Sequence, residues 1–130
     1  MTDNEFFEQF ENGTLDAKLF THSAHIQMAW IYLKKYQLPE ALRNFSNALK
    51  NFAKVNKAQG LYNETITFAF LIIINERMKR TQTDQNWEDF KQNNSELFDW
   101  KNNILKNYYN EATLKSVFAK KTFIFPDKFE

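Results

Sequence analysis

Residues that break helices are scarce in this chain. Its 130 residues include only two glycines and two prolines, against an average usage of about 7% and 5%. The many tight turns of an all-β fold depend on such residues. The sequence therefore favours a few long helices joined by short connections.

The composition provides for one substantial core. Fourteen Phe, five Tyr and three Trp make 17% of the chain aromatic, and each buried ring removes about 150–250 Å² from water. A chain of this length buries roughly two-thirds of its unfolded surface. We therefore predict a single helical domain, residues 1–130.

Charge and cysteine content exclude several classes of function. Seventeen basic residues balance sixteen acidic ones, for a net charge of +1, and the two signs are interspersed. A nucleic-acid-binding protein usually shows a basic excess or stripe, so we predict no nucleic-acid partner. The absence of cysteine rules out disulfides, thiolate catalysis and cysteine-based zinc sites.

The sequence shows no membrane or export signal. The acidic start, Met-Thr-Asp-Asn-Glu, lacks the apolar stretch of a signal peptide. The most apolar run, from Phe68 to Ile74, is much shorter than the roughly 20 residues needed to cross a bilayer. We therefore predict a cytoplasmic protein with no membrane partner.

Apolar residues recur at three- and four-residue steps, which is typical of amphipathic helices. The predicted fold is an all-α compact bundle of about five to seven helices, with a buried central helix over Tyr62–Arg80. Its apolar run could also form a buried strand, but the polar residues on both sides extend it to helical length. The other predicted helices cover 3–10, 22–36 after a Thr21 cap, a helix that starts at Leu38-Pro39-Glu40 and that Gly60 ends or follows, a short segment around Trp87 and Phe90 capped by Thr83 or Asp84, 94–108, and a last helix capped by Asn110 with Leu114, Val117 and Phe118.

The tail Phe123-Ile124-Phe125-Pro126-Asp127 is too apolar for a free terminus. We predict that it folds back as an extended strap, with Phe123, Ile124 and Phe125 buried. Cutting the chain before Phe123 would then expose core.

The two histidines of the chain, His22 and His25, lie three residues apart. This spacing places both imidazoles on one helix face, about 5–6 Å apart at their Cβ atoms, together with apolar residues. Two inward imidazoles can share a metal, relay protons or satisfy buried polar groups, and the spacing leaves these alternatives open. A His-x-x-His pair without cysteine is a weak metal signal, so metal and cofactor stay unassigned.

Glu64 adds a carboxylate to the candidate site, in the first turn of the most apolar helix. A carboxylate that enters a core needs a partner, and the histidines are the natural candidates. The alternative is that Asn63 caps the helix and Glu64 complements its positive N-terminal end. That alternative leaves Thr65 and Thr67 unexplained, since polar groups in so apolar a helix must find internal partners or line a cavity.

Two blocks of the sequence, Phe20-Thr21-His22-Ser23-Ala24-His25 and Leu61-Tyr62-Asn63-Glu64-Thr65, resemble the signature of a family of small, uncharacterised, all-helical bacterial proteins. The resemblance continues to Phe123–Asp127. The family pattern has His where this chain has Asn63, so the chain lacks a third imidazole beside the carboxylate. The resemblance implies a bacterial helical protein and brings no assigned activity with it.

Two hypotheses of function follow. The first is a small-molecule enzyme or ligand-binding protein with a half-buried pocket, in which His22, His25 and Glu64 are catalytic and His25 or Glu64 acts as general acid or base near neutral pH. Tyr62, Asn63 and Thr67 would bind the ligand. The alternative is a non-catalytic helical interaction domain in which the His/Glu cluster is structural. Whether the protein is an enzyme, and its oligomeric state, are left open by the sequence.

Overall fold

The computed structural model describes residues 1–81 and 85–128. This part of the chain contains seven α-helices and no β-strand, and helical residues make up 72% of it. The all-α fold class predicted from the sequence is therefore confirmed. The chain divides into two compact units, Met1–Tyr62 and Asn63–Glu130. The single domain stays a prediction.

The first unit holds three long helices. The first, α1, carries a capping box in which the Thr2 side chain and the Glu5 side chain each bond the other's backbone N–H. It ends at Gly13, whose φ of +73° is left-handed, and a Cβ there would lie 3.0 Å from the Asn51 amide nitrogen. Helix α2 begins after Thr21, as predicted. The three helices are α1 Asp3–Asn12, α2 His22–Lys35 and α3 Leu38–Val55, with 3-10 turns at Ala17–Leu19 and Gln59–Leu61.

Aromatic rings fill the core of this unit. Phe10 is fully buried, and the ring centroids of Phe20 and Phe45 lie 5.0 and 5.7 Å from its own. Tyr32 is also fully buried, and its hydroxyl donates a 2.8 Å hydrogen bond to the Glu11 carboxylate. Burial, with this bond, raises the pKa of Tyr32. The phenol therefore stays protonated and holds α2 to α1.

Helix α3 ends at Val55, and Gly60 follows it in the next 3-10 turn, in agreement with the prediction that Gly60 ends or follows the helix. The reversal is made by Lys57, whose φ is +56°, while the amide of Ala58 bonds the carbonyl of Ala53 at 2.7 Å. A left-handed residue of this kind satisfies the last carbonyls of a helix without glycine.

The second unit is organised around α4. Asn63 caps this helix, and the predicted helical state of its apolar run is confirmed. One face is buried, including Leu71 and Ile74 at 0% exposure, but Ile72 is 38% exposed, so the helix is not buried on all sides. The unit contains α4 Glu64–Arg80, α5 Trp87–Asn93, α6 Glu111–Lys115 and α7 Val117–Lys121, with 3-10 turns at Ser95–Phe98 and Ile104–Asn107.

Two predicted helices of this unit are broken into shorter pieces. The segment 94–108 forms two 3-10 turns, because the Asp99 and Asn103 side chains accept hydrogen bonds from nearby backbone N–H groups and compete with a continuous helix. The last predicted helix is divided at Ser116, which is extended and caps α7. Asn110 precedes α6 but makes no capping bond with its side chain.

The predicted caps Thr83 and Asp84 lie outside the described residues. Helix α5 is instead capped by Asn86, whose side chain accepts a hydrogen bond from the Asp89 amide. No helix of the described part is long and apolar enough to span a membrane.

The tail forms hydrogen bonds with other segments of the second unit, while its extended conformation stays a prediction. We call residues 122–128 the strap. Phe123 and Ile124 are half-buried, with the Phe123 ring 6.0 Å from that of Phe68. Phe125 is 79% exposed, so its predicted burial is wrong. The strap is fixed by main-chain hydrogen bonds on either side of Phe125, and these bonds do not require that side chain to pack inward.

Candidate functional site

The histidine pair lies in the first turn of α2, in the first unit. The Thr21 side chain accepts the amide of Ala24, and the Thr21 carbonyl accepts the amide of His25. Both imidazoles are half-buried. The His25 ring lies against Phe20, with 4.0 Å between ring centroids. The first turn of α2 thus places the His25 ring beside Phe20 of the aromatic core.

The pKa of His25 is lower than that of a general acid that works near neutral pH. Burial, together with the neighbouring His22, lowers the pKa of His25 from 6.5 to about 4. Desolvation disfavours the charged form of an imidazole, and a second imidazolium nearby adds repulsion. His25 is therefore a neutral imidazole at pH 7, able to give or accept a hydrogen bond but rarely carrying an acid proton.

Tyr62 is the last residue of the first unit. It follows the 3-10 turn Gln59–Leu61 in an extended conformation and is half-buried. The Lys50 ammonium lies 5.3 Å from its ring centroid, which is within the range of a cation–π contact. Its ring is thus packed against α3 of its own unit.

Asn63, Glu64 and Thr67 lie at the start of α4, in the second unit. The Asn63 side chain accepts the amide of Ile66 at 2.9 Å and donates to the carbonyl of Leu114 at 2.8 Å. Asn63 is 8% exposed, so its amide is a buried connection between two segments of this unit. Glu64 is half-buried in the first turn, where a carboxylate complements the helix dipole.

The two threonines of α4 have internal partners. Thr65 is fully buried, donates to the carbonyl of Thr122 at 2.8 Å and accepts the amide of Ile124 at 3.1 Å. Thr67 donates to the carbonyl of Asn63, one turn earlier, at 2.8 Å. Their polarity is thus explained by hydrogen bonds inside the unit.

The structure brings Asn63 and Thr67 together, while the convergence of His22, His25 and Glu64 stays a prediction.

The strap forms hydrogen bonds with a further set of residues. The sequence did not point to these residues as a site. The Tyr109 hydroxyl donates to the carbonyl of Ile124 at 2.7 Å. The Tyr108 carbonyl accepts the amides of Asp127 and Lys128, both at 3.0 Å. We call Thr65, Tyr108, Tyr109, Asn110 and Thr113 the strap groove. The one sequence signal for it was Thr65, a polar residue in an otherwise apolar helix.

A pair of matched substitutions tests the structural role of the threonines. Thr65→Val keeps the side-chain shape but leaves the Thr122 carbonyl and the Ile124 amide without their partner, so we expect a loss of about 1–3 kcal/mol in the free energy of unfolding. Thr67→Val should cost less than about 1 kcal/mol, since the Asn63 carbonyl still accepts the Thr67 amide. Urea denaturation measures both values. Equal losses would show that the strap contact contributes nothing.

Comparison of the chain with protein-family models, curated proteins and solved structures finds no match. Among the described residues, no three His, Asp or Glu side chains are grouped so that they could hold a metal ion. The family resemblance and the ligand of the candidate site stay predictions.

Proposed function

We propose that the protein is a cytoplasmic, non-catalytic helical interaction domain of bacterial origin. The observation that supports this proposal is that polar side chains at the start of α4 form hydrogen bonds within their own unit. Asn63, Thr65 and Thr67 each bond the main chain of their own unit. Side chains whose bonding capacity is used in this way stabilise a fold and are poorly placed to bind a substrate.

Exposed apolar side chains of the second unit also support an interaction function. Val117 and Phe118 are adjacent on α7 and are 68% and 65% exposed. Neighbouring exposed apolar side chains are more typical of protein contact surfaces than of inert ones.

The second candidate is a small-molecule enzyme or ligand-binding protein with a His/Glu pocket that includes His22, His25 and Glu64. The low pKa of His25 favours it in one respect, since a neutral imidazole can bond a ligand at pH 7. The rest of this candidate depends on the sequence pattern.

Glu64→Ala distinguishes the two candidates. If Glu64 is structural, the substitution leaves buried partners unsatisfied, and we expect a loss of about 1–3 kcal/mol in the free energy of unfolding. Glu88→Ala is the matched control, because Glu88 also lies in the first turn of a helix, α5, but is exposed. Urea denaturation of the wild type and of both variants gives the difference between the two losses in the free energy of unfolding.

The control removes the contribution of the helix dipole, which is about 0.3–1 kcal/mol in each variant. A loss for Glu64→Ala no larger than that for Glu88→Ala contradicts the structural role. Such a result would favour the ligand-binding candidate, since functional side chains are often neutral or costly for stability.

A further inference from the structure

Exposed lysines gather towards the C-terminal end of the second unit. The Lys106 ammonium donates to the carbonyl of Lys101 at 3.0 Å, and the Lys128 ammonium donates to the carbonyl of Lys106 at 2.9 Å. All three residues are exposed, and each of these bonds uses one of the three N–H groups of an ammonium. The three lysines are therefore neighbours in space, although Lys128 is distant from the other two in sequence.

Exposed aromatic residues lie in the same two segments. Trp100 and Tyr108 are 54% and 43% exposed. The Tyr108 carbonyl accepts the amide of Lys128 at 3.0 Å, three residues after Phe125, which is 79% exposed. We call this set the aromatic–lysine surface, and its members are Trp100, Lys101, Lys106, Tyr108, Phe125 and Lys128.

The chain beneath this surface is anchored in the core. Leu105 and Tyr109 are 0% and 2% exposed. The Leu105 amide donates to the Asn103 side chain at 2.9 Å, and the Tyr109 hydroxyl donates to the carbonyl of Ile124 at 2.7 Å. The fold thus holds the exposed aromatic and lysine residues in place through their buried neighbours along the chain.

The charge of this region differs from that of the whole chain. The chain has a net charge of +1, but residues 100–128 contain six lysines, two acidic residues and no arginine. Both carboxylates have partners outside the aromatic–lysine surface, since Glu111 pairs with Lys115 at 3.0 Å and Asp127 accepts the hydroxyl of Thr113. The surface is therefore positively charged and complements an anionic partner.

The residue types distinguish between classes of anionic partner. Protein interfaces are enriched in arginine and depleted of lysine, and recognition of nucleic-acid phosphates favours the arginine fork. Lysines without arginine suit the diffuse charge of an anionic lipid surface. Tryptophan and tyrosine favour the membrane–water interface, and an exposed phenylalanine can enter the boundary between headgroups and acyl chains. The composition of the surface thus favours lipid over protein or nucleic acid.

We propose that the aromatic–lysine surface binds the anionic surface of a membrane, with its aromatic side chains in the headgroup region and its lysines against anionic headgroups. Such peripheral binding needs no spanning helix. It departs from the sequence prediction of no membrane partner, which was drawn from the lack of a spanning segment or signal peptide. The inference goes beyond the proposed interaction function and does not depend on it.

Co-sedimentation of the full chain with lipid vesicles tests the proposal. We expect at least tenfold stronger binding to vesicles of phosphatidylcholine and phosphatidylserine in equal parts than to vesicles of phosphatidylcholine alone. Raising the salt concentration should weaken the binding to the anionic vesicles, because salt screens exposed charges. Equal binding to both kinds of vesicle, or none to the anionic ones, overturns the proposal without any substitution.

A triple lysine variant locates the binding surface. Replacing the three lysines of the aromatic–lysine surface with glutamine should weaken binding to the anionic vesicles by at least tenfold. The control changes the net charge by the same amount in the first unit, where it replaces three other exposed lysines, and it should retain most of the binding. The test variant is Lys101→Gln with Lys106→Gln and Lys128→Gln, and the control variant is Lys18→Gln with Lys54→Gln and Lys57→Gln. Equal losses in the two variants would overturn the assignment to this surface.

Phe125→Ser tests the aromatic contribution and should weaken binding by about tenfold, because insertion scales with the apolar area buried. Leu61→Ser is its control, since Leu61 is 81% exposed and lies in the first unit. Circular dichroism verifies that every variant folds. Unchanged binding of folded Phe125→Ser contradicts insertion. Binding of the wild-type chain to single-stranded oligodeoxythymidine in place of the vesicles would assign the surface to nucleic acid and overturn the lipid proposal.

Discussion

Removing residues 123–130 should lower the free energy of unfolding by about 3–6 kcal/mol, a large part of the roughly 5–15 kcal/mol available to a domain. The truncation removes the acceptor of the Tyr109 hydroxyl and the amide donor to Thr65, at about 1–3 kcal/mol for each buried group left without its partner. It also exposes apolar surface around Phe68, which the Phe123 ring contacts. Thermal and urea denaturation of the truncated chain measure the loss.

Phe125→Ser in the full chain is the control for this truncation. Because Phe125 is 79% exposed, we expect its replacement to change the free energy of unfolding by less than about 0.5 kcal/mol. An unchanged melting temperature in the truncated chain would show that the strap does not stabilise the second unit.

Stability should also depend on pH through His25. Its pKa is about 4 in the folded chain and near 6.5 when unfolded. Between these values the unfolded chain takes up a proton that the folded chain does not, so stability is fully present above pH 6.5 and is lost as the pH falls towards 4. The loss reaches about 3 kcal/mol. Urea denaturation at pH 7.5, 6, 5 and 4 measures it.

Acidic residues also titrate in this range, so the test compares variants. His25→Gln should remove about 3 kcal/mol of the difference in stability between pH 7.5 and 4, because glutamine has no charge to gain. His22→Gln should retain most of that difference. A pH profile of His25→Gln that follows the wild type would show that His25 is not held neutral by the fold.

The candidate site was only partly predictable. The Asn63 cap and the half-buried setting of both histidines follow from local pattern, since a capping residue and an apolar face are properties of one helix. The partners of Thr65 could not be predicted, because Thr122 and Ile124 lie more than fifty residues away. The direction of the pKa shift of His25 depends on the rings that surround it, such as Phe20.

The sequence by itself determined the helical class, the positions of α1, α2 and α4, and the presence of a strap, because breaker content and apolar periodicity act over short distances. The structure adds what that pattern does not contain. The break at Ser116 comes from local hydrogen bonds of its hydroxyl with Thr113 and Ala119. Only the tertiary structure decided the position of the strap, in which Phe125 is left in solvent. The hydrogen bonds of Thr65 and Tyr109 with Thr122 and Ile124 join residues distant in sequence, and local periodicity carries no information about such contacts.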